Sequence, residues 1–220
     1  MGEINLMDLY PRAKRVGPVK ERAVLITDTQ RKLSRRFGKD YFDGDRLLGY
    51  GGYYYDGRWK PIVKRFRDYY QLAEDASVLD VGCAKGFMLH DFKQFMPNLT
   101  VAGIDISEYA IENAMETVRP FLSVGNAKNL PYGDKSFDLV VCINTLHNLP
   151  FEECKQSVRE IQRVSKRHAF IMVDAWRTEE ELKRLEKWLL TAQTYMHVDE
   201  WKKFFNEVGY TGDYYWCFME

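Results

Sequence analysis

The stretch Val78-Leu79-Asp80-Val81-Gly82-Cys83-Ala84-Lys85-Gly86 constrains this 220-residue chain more than any other. An apolar run that ends in an acid and then in a turn of small residues marks a buried strand leading into a helix. Small residues let a ligand approach the backbone, and the first helical turn offers N–H groups that lack intrahelical partners. Such a unit needs a sheet with helices on both faces, and the rest of the chain supplies one. From Val78 onward, β-rich apolar runs alternate with amphipathic stretches. The pattern predicts strands over 77–81, 101–106, 121–124, 137–143 and 168–174. It predicts helices over 86–95, 107–118 and 151–164, with Ser107 as an N-cap and Pro97 and Pro120 as stops. Residues 179–192 and 199–208 also read as helices, Gly209 as a C-cap, and Asp213–Met219 as a final aromatic strand. The result is a doubly wound, mostly parallel α/β sheet.

The turn itself narrows the ligand. A dinucleotide site requires G-x-G-x-x-G, whose amides hold a pyrophosphate. Here the spacing is G-x-A-x-G, and the acid at the strand end would repel a pyrophosphate while attracting an ammonium or sulfonium. A nicotinamide-dependent dehydrogenase is therefore disfavoured. In Gly103-Ile104-Asp105-Ile106-Ser107 a second acid ends the next strand, about twenty residues beyond the turn, where a carboxylate can accept from both hydroxyls of a ribose. A third stretch is Val124-Gly125-Asn126-Ala127-Lys128-Asn129-Leu130-Pro131, followed by Ser136-Phe137-Asp138-Leu139-Val140-Val141. A fourth, Cys142-Ile143-Asn144-Thr145-Leu146-His147-Asn148-Leu149, ends a strand at the carboxyl edge, where open α/β sheets place their ligands.

Taken together, these four stretches resemble the class I S-adenosylmethionine-dependent methyltransferases, in particular the type 11 group, from Val78 to Val173. The resemblance implies a Rossmann-like fold with an N-terminal helical or loop cap, and S-adenosylmethionine as cofactor. It implies that Asp80, Gly82, Cys83, Ala84 and Gly86 hold the methionine part of the donor. Asp105 would bind its ribose, Ile106 would pack on its adenine and Asn126 would accept from the adenine amino group, with Ala127 and Ile143 also among the donor-binding residues. Ala84 replaces the family's usual middle glycine. Asn126 replaces its usual Asp, keeping an oxygen that can accept from the adenine amino group. Asp138 reads as structural. The family's sheet ends on an antiparallel strand, for which this chain has only Asp213–Met219, so a shortened edge is expected. An exposed aromatic strand there is compatible with a homodimer.

His147 is the side chain nominated for acid–base work, since an unperturbed imidazole titrates near ~6.5; the alternative is a packed or pocket-lining histidine. The acceptor is expected against the N-terminal segment, where Tyr41-Phe42-Asp43-Gly44 and Gly49 to Trp59 concentrate aromatics, glycines and Arg58. Tyr53, Tyr55 and Arg58, with Asn144 and Trp176, are the candidate acceptor residues. They suit a small polar molecule, methylated on O or N, such as a sugar- or phosphate-bearing metabolite, although such aromatics also cover core. Residues 1–75 are read as the cap and 76–220 as the donor-binding domain.

Composition bears on the alternatives. Net charge is zero, but split at Asp75 the first part holds 16 Lys/Arg against 11 Asp/Glu and the second 16 against 21. Arg12 to Arg36 carries nine Lys/Arg against Glu21 and Asp28. That stretch favours an RNA or protein methyltransferase as the second reading. Against nucleic acid, it lacks interleaved aromatics for base stacking, and the fourth strand ends in Asn144-Thr145-Leu146-His147 rather than Asn-Pro-Pro-Tyr. A non-catalytic Rossmann-like scaffold is the reading from another class; the intact Asp80, Gly82, Gly86 and Asp105 weigh against it. Cys83, Cys142, Cys154 and Cys217 show neither paired nor C-x-x-C spacing, so no metal site and no disulfide framework is expected. No run approaches the ~18 apolar residues of a membrane span, and a cytoplasmic protein is expected.

Overall fold

A computed structural model of the chain describes residues 2–11 and 25–219. The N-terminal half of the basic stretch, residues 12–24, lies outside the described residues. The elements in chain order are α1 (Asp28–Ser34), α2 (Lys39–Phe42), α3 (Lys60–Tyr70), β1 (Ser77–Val81), α4 (Phe87–Phe95), β2 (Thr100–Asp105), α5 (Glu108–Glu112) and β3 (Leu122–Val124). They continue with β4 (Phe137–Ile143), α6 (Phe151–Val164), β5 (Ser165–Trp176), α7 (Glu179–Trp188), β6 (Met196–His197), α8 (Val198–Glu207) and β7 (Asp213–Cys217).

The strands form a seven-stranded sheet in the order β3-β2-β1-β4-β5, with β6 and β7 both beside β5. Every pairing is parallel. The central strands carry the most apolar sequences because both of their faces are covered. Val78, Leu79, Val81, Leu139, Val140 and Val141 are all buried. On one face α3 and α4 pack Ile62, Phe66, Leu89 and Phe92 against Val78 and Phe170. On the other, α6 and α8 pack Val158, Ile161, Trp201 and Phe205 against Leu79, Val140 and Ile171. Helix α3 thus belongs to a core layer of the sheet, and the part of residues 1–75 that lies over the sheet's carboxyl edge is the chain before Trp59.

Three expectations meet corrections. The helix predicted over 107–118 stops at Glu112. Ala110, Ala114 and Val118 are buried at helical spacing, yet the Met115 amide donates to the Lys85 carbonyl at 3.0 Å instead of continuing the helix. The final strand runs parallel to β5, from Phe170↔Asp213 to Asp174↔Cys217, because the helical crossover α8 returns the chain to the amino edge before β7 begins. Its outer edge is not open: the Ile4 amide donates to the Tyr214 carbonyl, and the Tyr214 amide to the Gly2 carbonyl, both at 3.0 Å. Glu3 holds this pairing with ion pairs to Arg177 at 2.9 Å and Lys202 at 3.0 Å. Tyr214 and Trp216 are buried, which removes the exposed aromatic edge that suggested a homodimer. Among the described residues no helix is long and apolar enough to cross a membrane.

Candidate active site

The carboxyl ends of β1, β2 and β4 open into a cleft of about 1200 Å³, roofed by the N-terminal segment. That volume exceeds the ~300–1,000 Å³ of an ordinary small-molecule pocket, leaving room for two ligands side by side. Its floor is the turn after β1. The Gly82 and Cys83 amides donate to the Ile104 carbonyl at 2.7 and 3.1 Å, locking the turn to β2. Gly82, Ala84 and Gly86 all take positive φ, at 86°, 48° and 73°. Glycine adopts that region freely; Ala84 occupies it at a modest cost. At Gly82 a Cβ would lie 2.0 Å from Thr145 Oγ1, so the end of β4 presses directly on this turn.

Two carboxylates flank the turn. Asp80 is buried at the end of β1, and burial together with the charge of Asp105 pushes its carboxyl up to about 8. Asp105 is also raised by burial, opposed by bonds from the Ser107 and Ala84 amides, the latter 2.7 Å to Oδ2. A ligand carrying positive charge would relieve both groups at once, and a pyrophosphate would aggravate them. Ile106 is exposed to the cleft beside Asp105, and Asn126, Ala127 and Ile143 complete this half. Asn126 Oδ1 accepts from the Lys128 amide at 3.0 Å, which fixes the amide orientation at that position.

Of the residues expected to hold a donor, Asp80, Gly82, Cys83, Ala84, Asp105, Ile106, Asn126, Ala127 and Ile143 all line the cleft. Gly86 does not; it caps α4 from behind, and a Cβ there would meet Leu122 and Val118 at 2.9 Å. The acceptor candidates divide. Tyr53, Arg58 and Asn144 line the cleft. Tyr55 instead donates its hydroxyl to Asp91 at 2.5 Å and packs against Phe87 and His90 outside it. Trp176 sits against the His197 ring, 4.8 Å between centroids, and is not among the lining residues. His147 is also absent from the lining: its Nδ1 accepts the Asp174 amide at 3.0 Å, and its carbonyl accepts the Gln193 and Thr194 amides. The sequence places His147 one turn beyond β4, and the 3-10 turn Leu146–Asn148 carries it inward as a strut between β4, β5 and the 193–194 loop.

Sequence reasoning missed several lining groups. Tyr10 packs against Trp59 at 4.8 Å and under the Arg58 guanidinium at 5.7 Å, while Arg58 itself pairs with Asp56. Arg46 lies over Trp188 at 5.3 Å. Tyr10 and Trp188 are remote in sequence from every motif, and only the fold brings them to the cleft. Arg31 and Arg35, from the basic stretch, donate to the carbonyls of Leu189, Leu190 and Thr191; these two cations tie α1 to the loop after α7.

The family model described as "Methyltransferase domain" matches residues 72–217. A tRNA (carboxymethyluridine(34)-5-O)-methyltransferase of Arabidopsis thaliana is 32% identical over 146 residues, 66% of this chain and 34% of that protein. A demethylmenaquinone methyltransferase of Thermotoga maritima is 28% identical over 144 residues, covering 64% of this chain and 59% of its own. The chain thus spans between a third and three fifths of these relatives' lengths. Among solved structures, the YcgJ protein of Bacillus subtilis superposes with a TM-score of 0.55 at 20% identity, covering 66% of each chain. The acid–turn–acid arrangement, the parallel sheet and the match across most of the chain agree, and this protein belongs to the class I S-adenosylmethionine-dependent methyltransferases.

Proposed function

We propose that the chain transfers a methyl group from S-adenosylmethionine to a small acceptor bound in the aromatic half of the same cleft. The observation that carries this is the pairing of the buried Asp80 with the half-buried Asp105 around a left-handed small-residue turn that opens onto the tyrosine- and tryptophan-lined half of the same cleft. When bound, S-adenosylmethionine supplies an already activated sulfonium methyl. The protein's work is then alignment and exclusion of water. In this reading Asp80 and the Gly82–Ala84 backbone hold the methionine part, Asp105 the ribose, and Ile106, Asn126 and Ala127 the adenine. Tyr53, Arg58 and Asn144, joined by Tyr10 and Trp59, hold the acceptor, which enters under the segment before Trp59.

The lining contains no histidine and no lysine among the described residues. A nucleophile that needs no strong base, such as an amine or an acidic hydroxyl, fits this chamber better than a sugar hydroxyl. His147 in this reading positions β4 against β5 and takes no proton. A second reading, methylation of tRNA, is favoured by the Arabidopsis relative. Against it, Arg31 and Arg35 already serve the fold. The test is a methyl-transfer screen that reads formation of S-adenosylhomocysteine with amines, phenols and carboxylates on one side and bulk tRNA on the other. Turnover with a small acceptor supports the first reading; turnover with tRNA alone replaces it by the second.

A further inference from the structure

One carboxylate in the N-terminal segment touches both the turn after β1 and the helix that follows the turn after β2. Asp43, just past α2, accepts from Lys85 Nζ at 2.7 Å and from the Tyr109 hydroxyl at 2.7 Å, both at Oδ2. Lys85 belongs to the turn after β1, and Tyr109 to α5, which begins after Asp105 at the end of β2. The Lys85 side chain is 7% exposed and that of Asp43 15%, so the pair is largely withdrawn from water. Its bonds are not limited to each other. Asp43 Oδ1 accepts the Tyr53 amide at 3.0 Å and Lys85 Nζ donates to the Tyr53 carbonyl at 3.1 Å. Both backbone polar groups of one cleft-lining residue are therefore held by the two members of one ion pair. The Tyr53 ring in turn stacks on Phe87, at 4.8 Å and 22°, on the first residue of α4. From the second turn Ser107 adds a bond of its own hydroxyl to the Phe37 carbonyl.

We infer that Asp43 and Lys85 form a positioning clamp that couples the two donor-binding turns to the segment covering the acceptor chamber. The inference rests on the donor and acceptor assignments proposed above. A lysine at this turn position is not needed to hold a cationic donor, and its ammonium is directed to Asp43 and the Tyr53 carbonyl. An ordinary structural ion pair would contribute to folding alone. A clamp that bridges both donor turns makes order in residues 37–54 depend on the conformation of those turns, and Tyr53 is the residue through which that order reaches the acceptor.

Hydrogen exchange of the full chain tests this with and without saturating S-adenosylhomocysteine, on the wild type, Asp43→Ala, Lys85→Met and the double variant. In the ligand-free wild type the Tyr53 amide exchanges slowly. All three variants raise its exchange at least tenfold, while amides of β1 and β4 keep their protection. Adding S-adenosylhomocysteine slows exchange across 37–54 in the wild type and leaves it unchanged in the double variant. Equal Tyr53 protection in wild type and Asp43→Ala would overturn the clamp, as would ligand-induced protection of 37–54 that survives in the double variant. If S-adenosylhomocysteine fails to bind the wild type, the donor assignment falls, and with it the coupling; the ligand-free comparison then still decides whether the Asp43–Lys85 pair holds Tyr53.

Discussion

Replacing Gly82 by alanine measures how closely the donor turn is pressed against the end of β4. Two costs add. At φ 86° an L residue occupies the left-handed region, which carries about 1–2 kcal/mol for a side chain with a Cβ. The new methyl would also lie 2.0 Å from Thr145 Oγ1, 2.5 Å from its Cγ2 and 2.7 Å from its Cβ. Real contacts are far longer, so the turn or β4 must shift, and overpacking of this kind costs about 1–3 kcal/mol. Gly82→Ala should therefore lose about 2–5 kcal/mol, a large part of the ~5–15 kcal/mol that holds a typical domain. Thr145→Ala removes the two nearest atoms and leaves one at 2.7 Å, so it should return part of the steric cost. Urea denaturation of the four proteins in the cycle gives the coupling directly, expected at about 1–2 kcal/mol in favour of the double variant. Additivity within ~0.5 kcal/mol, or a Gly82→Ala loss below ~0.5 kcal/mol, would refute the packing argument.

Ala84→Gly relieves a left-handed alanine but adds unfolded-state freedom, so stability should stay within about 0.5 kcal/mol in the same denaturation assay; a larger change in either direction would show that the Ala84 side chain contributes contacts of its own. The Asp80 carboxyl is raised to about 8 in the folded chain, so the folded state retains a proton that the unfolded state releases near ~4. Its contribution to stability is fully present below about pH 4 and is lost as pH rises through 8; thermal melts across that range should fall more steeply for the wild type than for Asp80→Asn, and parallel curves would count against the burial argument. His147→Ala should lower stability by about 1–3 kcal/mol by orphaning the Asp174 amide, while kcat at saturating acceptor holds within a factor of about two, whereas loss of a general base would lower it by ~10²–10⁴.

The donor half of the cleft was legible because its chemistry is local. Asp80 through Gly86 and Asp105–Ile106 lie within single strand-to-helix turns, where spacing along the chain fixes position in space, and all of them except Lys85 and Gly86 reach the cleft. Gly86 has the same sequence logic, but its left-handed φ serves the cap of α4 and the close approach of Leu122. The acceptor half is long-range. Tyr53 and Tyr55 are two residues apart in one aromatic run, yet Tyr53 stacks inward on Phe87 while Tyr55 turns to Asp91. No spacing distinguishes them. Tyr10 and Trp188 carry no motif at all, and Asp43 and Lys85, 42 positions apart, signal their pairing only after the segment folds over the sheet. The same limit explains α5: its apolar spacing is helical through Val118, and the competing Lys85 carbonyl that ends it comes from another turn.

The central claim is that Asp80 and Asp105 enclose a site for S-adenosylmethionine. Calorimetric titration of S-adenosylhomocysteine into the wild type and Asp105→Asn, with NADH as the control ligand, tests it most directly. Ser107 donates its amide to Oδ1 and Ala84 to Oδ2, so Asn keeps one of these two bonds and removes the charge and one acceptor. A urea midpoint for Asp105→Asn measured alongside separates loss of the ligand contact from loosening of the turn. The account predicts one site per chain, at least tenfold weaker binding in Asp105→Asn, equivalent to about 1.4 kcal/mol, and no heat with NADH. Equal affinity in the two proteins, or no binding to the wild type, would contradict it.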